Sequence, residues 1–216
     1  MAAVGGNIMT GSPISDLNPI LMAAGAVLRV QSASGAADHD QSATGGDGSE
    51  RCVPFDAAFY TGYRRNVLRP DEVLVSISIP FPASPDQFFV AYKQARRRDD
   101  DIAIVNAAFN ITVLRTADDN INGERRLRVS ALRMAFGGMA PTTVLAEQSA
   151  AQLIGEEIGV DGSDSIVETA CRLLAEELAL AASAPGAMIR YRQSLVLSFF
   201  FKFYLELRRD LGKISV

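Results

Sequence analysis

Two stretches carry the side chains from which chemistry could be built. The first is residues 5–18, GGNIMTGSPISDLN. Gly5 and Gly6 have no Cβ atoms to hold a backbone away from a bulky anionic ligand. Thr10, Ser12, Ser15 and Asp16 follow as a dense set of short hydrogen-bonding groups. A loop of this kind suits a nucleotide cofactor whose phosphates lie against backbone N–H groups; a plain turn before a helix has the same composition. The second stretch is residues 93–101, KQARRRDDD, in which three arginines meet three aspartates. One reading is a solvated, self-neutralising loop, since exposed ion pairs contribute roughly 0–1 kcal/mol. The other is electrostatic control of a redox ring, where a cation stabilises the reduced anionic ring and an anion does the opposite.

Other chemistries find little support. Cys52 and Cys171 lie far apart, and His39 stands alone in an Asp/Ser/Gly-rich run, so no metal-ligand spacing arises. H-E-x-x-H, Cys-x-x-Cys and serine nucleophile-elbow motifs are all missing from the sequence. No general base with a matched acid can be named, which agrees with chemistry carried by a cofactor. A formal net charge of −4 argues against nucleic-acid partners. Although 48% of residues are apolar, no run approaches the roughly 18–20 needed to span a bilayer. The N-terminus does not resemble a signal peptide, so a soluble intracellular protein is expected.

The elements that must position these groups follow from periodicity. Residues 1–25 read as a loop and a short helix, with Asp16 as N-cap, Pro19 in the first turn and Gly25 as the stop. A strand is expected at 27–31 and a mobile surface insertion at 35–50, where too little apolar area exists to offset ordering entropy. Residues 54–69 suggest a short helix and turn before Pro70. Val73, Val75, Ile77 and Ile79 alternate as the buried face of a strand at 72–80. Further strands are expected at 88–95, 102–114 and 128–136, the last closed by Gly137 and Gly138. Helices follow at 142–154, 163–180 and 188–211. The aromatic stripe of the last helix reads as core, and Arg190, Arg192 and Lys202 as facing solvent or other domains. Strands followed by helices indicate an α+β fold: a small antiparallel sheet on a three-helix bundle, with a lobe boundary near Asp71.

Five blocks in order, GGNIMTGSPISDLNPILMAAGA, FYTGYRRNVLRPDEVLVSISIP, FFVAYKQARRRDDDIAIVNAAF, MAFGGMAPTT and APGAMIRYRQSLVLSFFFKFYLELRRDLG, resemble the flavin domain of the xanthine dehydrogenase/oxidase family. The resemblance covers most of the chain. It implies the end of a PCMH-type FAD-binding lobe at residues 1–70 and a CO dehydrogenase flavoprotein C-terminal-like domain at 71–216. It further implies that the earlier half of the flavin cleft lies upstream of Met1, in a longer chain. FAD is the cofactor implied for this segment; molybdopterin and two-iron two-sulfur clusters are implied only for regions outside it. By resemblance Lys93 and Leu74 approach the flavin ring system, and Gly6, Asn7, Ile8, Met9 and Thr10 line the cofactor's middle. Ser15 and Asp16 lie near its ribityl and phosphate region. Arg97 and Asp100 fall in the loop whose movement accompanies the switch from dehydrogenase to oxidase behaviour. Ala3 stands where the family often has a hydroxyl residue, which removes one donor.

The function so implied is to pass electrons from hypoxanthine or xanthine hydroxylation through FAD to NAD⁺ or O₂. The partners are the iron–sulfur and molybdenum domains, within a full-length homodimer and without nucleic acid or membrane. Cytoplasmic residence is expected, with the peroxisome as the other compartment. An aldehyde oxidase segment, or a scaffold unable to bind FAD alone, are the alternatives.

Overall fold

The computed structural model describes residues 3–32, 50–117, 125–159 and 165–214. The insertion expected at 35–50 falls outside the described residues, apart from Glu50, which opens a strand. The N-terminal stretch is not a loop. It forms a helix, α1 (Val4–Thr10), and the glycine pair lies inside it. Each glycine in a helix interior costs about 1 kcal/mol relative to alanine, so this helix depends on tertiary contacts. Ile8 supplies the main one and is wholly buried. Gly11 ends α1 and Gly25 ends the next helix, α2 (Asn18–Ala24), both in the left-handed conformation that glycine adopts without a Cβ penalty. Asp16 is not the N-cap of α2, because the helix starts two residues later and the cap residue is Leu17. The Ser15 hydroxyl instead accepts the Asn18 N–H at 3.4 Å.

Strand β1 (Val27–Ser32) is central in a three-stranded antiparallel sheet between β2 (Glu50–Pro54) and a later strand. The helix expected at 54–69 is replaced by a small hairpin of β3 (Tyr60–Gly62) and β4 (Arg65–Asn66). Phe59, Tyr60 and Thr61 favour extended backbone. Phe55, Phe59 and Tyr60 then close an edge-to-face cluster with centroids 4.9–5.7 Å apart. The sheet's other edge is β5 (Glu72–Ser78), paired with β1, so the expected lobe boundary near Asp71 falls just before a strand of the first sheet.

β5 keeps only Ile77 of the expected face on the core and changes face part-way along. Val73, Val75 and Ile79 are 61%, 45% and 55% exposed, while Leu74 and Ile77 pack on the core. The cause is a bulge: Arg29 pairs with Ser76 and Val30 with Leu74, leaving Val75 without a partner in the ladder. One extra residue inverts every side chain beyond it.

The second sheet has the order β6 (Gln87–Ala95), β7 (Ala103–Ala117), β8 (Arg125–Gly137) and β9 (Val144–Leu145), antiparallel throughout. The short β9 takes up the first part of the helix expected at 142–154, which starts only at α3 (Glu147–Leu153). With α4 (Ser165–Glu177) and α5 (Ile189–Ile214), α3 covers one face of this sheet, while α2 packs on the other. β7 therefore faces two cores. Its odd positions Val105, Ala107, Phe109 and Ile111 meet the helices, where Phe109 stacks on Phe203 at 4.8 Å. Its even positions Asn106, Ala108 and Asn110 meet the first lobe. Phe199, Phe200, Phe203 and Tyr204 of α5 are core as expected, whereas Phe201 is exposed. Arg192 is not at the surface: it is only 7% exposed. No helix among the described residues is long and apolar enough to cross a membrane.

Candidate functional site

The two expected stretches converge on the seam between the lobes. Lys93 lies on β6 directly opposite Asn106 of β7, which in turn lies opposite Gly137 of β8. Against this row sits the turn joining α1 to α2. The Gly138 N–H donates to the Pro13 carbonyl at 2.8 Å, and Asn106 Nδ2 donates to the Ser15 carbonyl at 2.9 Å. This places the Asp16 carboxylate 2.5 Å from Lys93 Nζ, with the pair open to solvent on one side.

A second set of bonds stiffens the turn from within. Ser15 Oγ donates to Asn7 Oδ1 at 3.2 Å, and Asn7 Nδ2 donates to the Ala3 carbonyl at 3.0 Å. Below them the Tyr60 hydroxyl donates to the Ile8 carbonyl at 2.9 Å and accepts Asn18 Nδ2 at 2.8 Å. Burial alone pushes the Tyr60 phenol well above its ordinary range, so it remains a donor at any working pH.

The expected cofactor residues divide by exposure. Gly6, Met9 and Thr10 are exposed on α1, while the Ile8 side chain is wholly in the core. Leu74 is half-buried beneath α1, where a Cβ at Gly5 would lie 3.8 Å from its Cδ2. Ser15 is buried and Asp16 exposed.

The arginine–aspartate loop is closed on itself, and its organiser is Asp101. The Asp101 carboxylate accepts the backbone N–H of Arg97 at 2.7 Å and of Ile102 at 2.9 Å. The Arg97 guanidinium lies 3.7 Å from Asp101 and donates to the Asp100 carbonyl at 3.0 Å. These bonds, that from the Arg97 N–H first, hold the Asp101 carboxyl below its usual value. Asp100 itself sits at φ 48°, an unfavourable backbone region for a residue with a Cβ.

Behind this loop opens a cavity of about 1280 Å³. Arg64, Arg96 and Arg192 line it together with Asp101 and Glu177, over a largely aliphatic wall that includes Ile102, Ile104, Met139 and Leu178. Arg192 donates to the Gly138 and Pro185 carbonyls at 2.8 and 2.9 Å, while its buried Nε has no partner among the described residues. Burial lowers its pKa from the ordinary arginine value. Glu177 accepts the N–H groups of Gln148 and Ser149 at the start of α3.

Sequence reasoning missed Asn106, Asp101 and the buried position of Arg192. For Asn106 a signal was available. Two asparagines four residues apart in the otherwise apolar run VNAAFNI share one strand face, and a buried amide needs partners.

Residues 90–207 match the family of CO dehydrogenase flavoprotein C-terminal domains, and residues 1–82 match the FAD binding domain in molybdopterin dehydrogenase. The chain belongs to the CO dehydrogenase flavoprotein C-terminal domain family. Within that family its sequence likeness is to xanthine dehydrogenases. It is 48% identical to the xanthine dehydrogenase of Drosophila pseudoobscura pseudoobscura over the whole chain, and 43% identical to the xanthine dehydrogenase/oxidase of Gallus gallus over 99% of it. The chain spans 14% of the length of either relative. Among solved structures, quinoline 2-oxidoreductase from Pseudomonas putida 86 superposes with a TM-score of 0.70 at 22% identity, covering 97% of this chain and 61% of that one. CO dehydrogenase from Oligotropha carboxidovorans superposes at 0.68 and 20%, covering 93% and 58%. These two likenesses establish the fold.

The residues present fit the FAD that the matched domain family names. The seam presents a partly exposed ammonium–carboxylate pair, and α1 presents small or polar surface at Gly6 and Thr10 beside it. Lys93, Asp16 and Thr10 are the polar side chains that this exposed surface offers to a ligand.

Proposed function

We propose that this chain forms one wall of the FAD site of a xanthine dehydrogenase-like enzyme. In that reading, electrons released by hydroxylation of hypoxanthine or xanthine elsewhere in the protein reach FAD through iron–sulfur centres. They then leave to NAD⁺ or O₂; when bound, the flavin supplies the redox chemistry. The observation that carries the reading is the Asp16–Lys93 pair, which joins the two lobes across the seam where the resemblance puts the cofactor. Lys93 stabilises negative charge on a ring next to it, and Asp16 moderates that effect while orienting the ammonium. Gly6, Asn7, Met9, Thr10, Ser15 and Leu74 complete this wall, with Ile8 acting through its backbone.

The loop of Arg97 and Asp100 controls access of the acceptor, and the cavity behind it receives the acceptor. Its arginines suit phosphate oxygens and its aliphatic wall suits a flat ring. The remaining partners are the iron–sulfur and molybdenum domains and a second copy of the full-length protein, and the place of action is the cytoplasm.

A fluorescence-quench titration with FAD tests the cofactor assignment. Saturable binding, weakened several-fold by both Lys93→Ala and Asp16→Ala, is the expected result. Binding that neither substitution alters would overturn it.

A further inference from the structure

We propose that Asn106 is a positioning residue of the flavin site, latching the turn that bears Ser15 and Asp16 onto the strand pair that bears Lys93. In this arrangement Gly137 and Gly138 leave the room that the latch needs. The inference rests on the flavin reading of Asp16 and Lys93.

Asn106 is 3% exposed, and the two ends of its amide are used unequally. Nδ2 donates to the Ser15 carbonyl at 2.9 Å and lies 3.5 Å from Asp16 Oδ1. Oδ1 is buried with no partner. Burying an acceptor in this way is unfavourable, and an apolar side chain of the same shape avoids it. Stability of the core therefore does not call for an amide here; what the amide contributes is its donor side. Asn110, two pleat repeats further along the same face, provides the contrast. Its Nδ2 donates to the Ala23 carbonyl at 3.0 Å, but its Oδ1 is satisfied by Gln87 Nε2 at 2.8 Å.

The neighbouring strand is shaped around Asn106. A Cβ at Gly137 would lie 2.1 Å from Asn106 Oδ1 and 3.0 Å from the Pro13 carbonyl. Gly138 has φ 84°, its N–H holds Pro13, and a Cβ there would lie 2.4 Å from the Ile104 carbonyl. The last position of β8 and the one after it thus admit only glycine without displacing Asn106, the turn or β7.

Lys93 stands directly across the ladder from Asn106, so one side chain fixes Asp16 relative to the ammonium that it pairs with. Without the latch, Asp16 lies on an exposed turn facing a lysine on a flexible stem. The pair then opens to water, Lys93 acts on the flavin with its full charge, and the flavin potential rises.

The test is the flavin midpoint potential of the FAD-loaded protein, with Asn106→Leu as the main variant because leucine has the same branching and no buried acceptor. The potential is expected to rise toward that of Asp16→Asn, and Asn106→Leu is expected to add no further rise in the Asp16→Asn background. FAD affinity should fall by about tenfold, the worth of one hydrogen bond. Gly137→Ala, which displaces the amide while keeping it, should reproduce the rise and serves if the leucine variant fails to fold. If Asp16→Asn and Lys93→Ala move the potential but Asn106→Leu and Gly137→Ala do not, the latch is wrong and the flavin site stands. Additive shifts in the double variant also overturn the latch. If neither Asp16→Asn nor Lys93→Ala moves the potential, the flavin reading itself falls.

Discussion

Replacing Tyr60 with phenylalanine removes one oxygen atom and isolates what holds α1 to α2. The ring stays: its edge-to-face contacts with Phe55 and Phe59, at 5.7 and 4.9 Å, involve no hydroxyl. Two hydrogen bonds disappear, one to the Ile8 carbonyl and one from Asn18 Nδ2. Their losses differ. The Ile8 carbonyl still accepts the Gly11 N–H at 3.2 Å, so it is not left bare, and the cost there is about 1 kcal/mol. Asn18 is wholly buried, and its Nδ2 keeps only a 3.5 Å contact with the Asn7 carbonyl. A buried donor without a good partner costs about 1–3 kcal/mol. The sum is about 2–4 kcal/mol. In urea unfolding this lowers the midpoint by about 1 M at unchanged slope; on heating it lowers the Tm by about 4–16 °C. Tyr63→Phe, at a residue 59% exposed, is the matched control and should shift neither. A Tyr60→Phe midpoint within about 0.2 M of the parent would refute the hydrogen-bond account of this junction.

Two further outcomes follow from packing and charge. Glu72 accepts both Arg51 Nε at 2.6 Å and Nη2 at 2.8 Å, and also the Arg69 N–H at 2.7 Å, with a carboxylate side chain only 3% exposed. The Arg51 hydrogen bond above all holds its pKa below the ordinary 4.5. A depressed carboxylate adds stability that is present above the unfolded value and is lost as pH falls through the folded one. Glu72→Gln should therefore cost about 1.5–3 kcal/mol at neutral pH. That gap should narrow below about pH 4.5, and a gap that stays constant down to pH 3 in denaturant titrations would contradict the pairing. Gly138→Ala combines a left-handed backbone with a Cβ 2.4 Å from the Ile104 carbonyl. It should lose about 2–4 kcal/mol, and hydrogen exchange should show the turn at residues 12–16 opening first; uniform exchange across the first lobe would argue against that order.

Much of this protein was legible from local pattern. The strands at β6, β7 and β8 and the helices α4 and α5 follow directly from apolar period, because each buries a whole face and the spacing of that face is written in the chain. Gly25 as a helix stop follows from its freedom at positive φ. The family likeness and the FAD association were legible too, since both rest on strings of residues rather than on their arrangement. Other features depend on partners distant in sequence. Gly5 and Gly6 are helical because Ile8 is drawn into a core built by β1, β2 and the hairpin at Tyr60. Val73 and Val75 are exposed because a bulge forms against β1, and no property of the strand's own alternation reports it. Asp16 leaves its capping role for Lys93, 77 positions away, and Asn106 reaches Ser15 across 91. Periodicity determined most of the strands and helices, and the resemblance carried by strings of residues implied FAD. Only the tertiary structure decided that β7 carries two cores on its two faces, and that an asparagine, a lysine and an aspartate meet at their seam. A hydrogen bond or ion pair depends on distance in space, and the docking of the two lobes is what sets that distance.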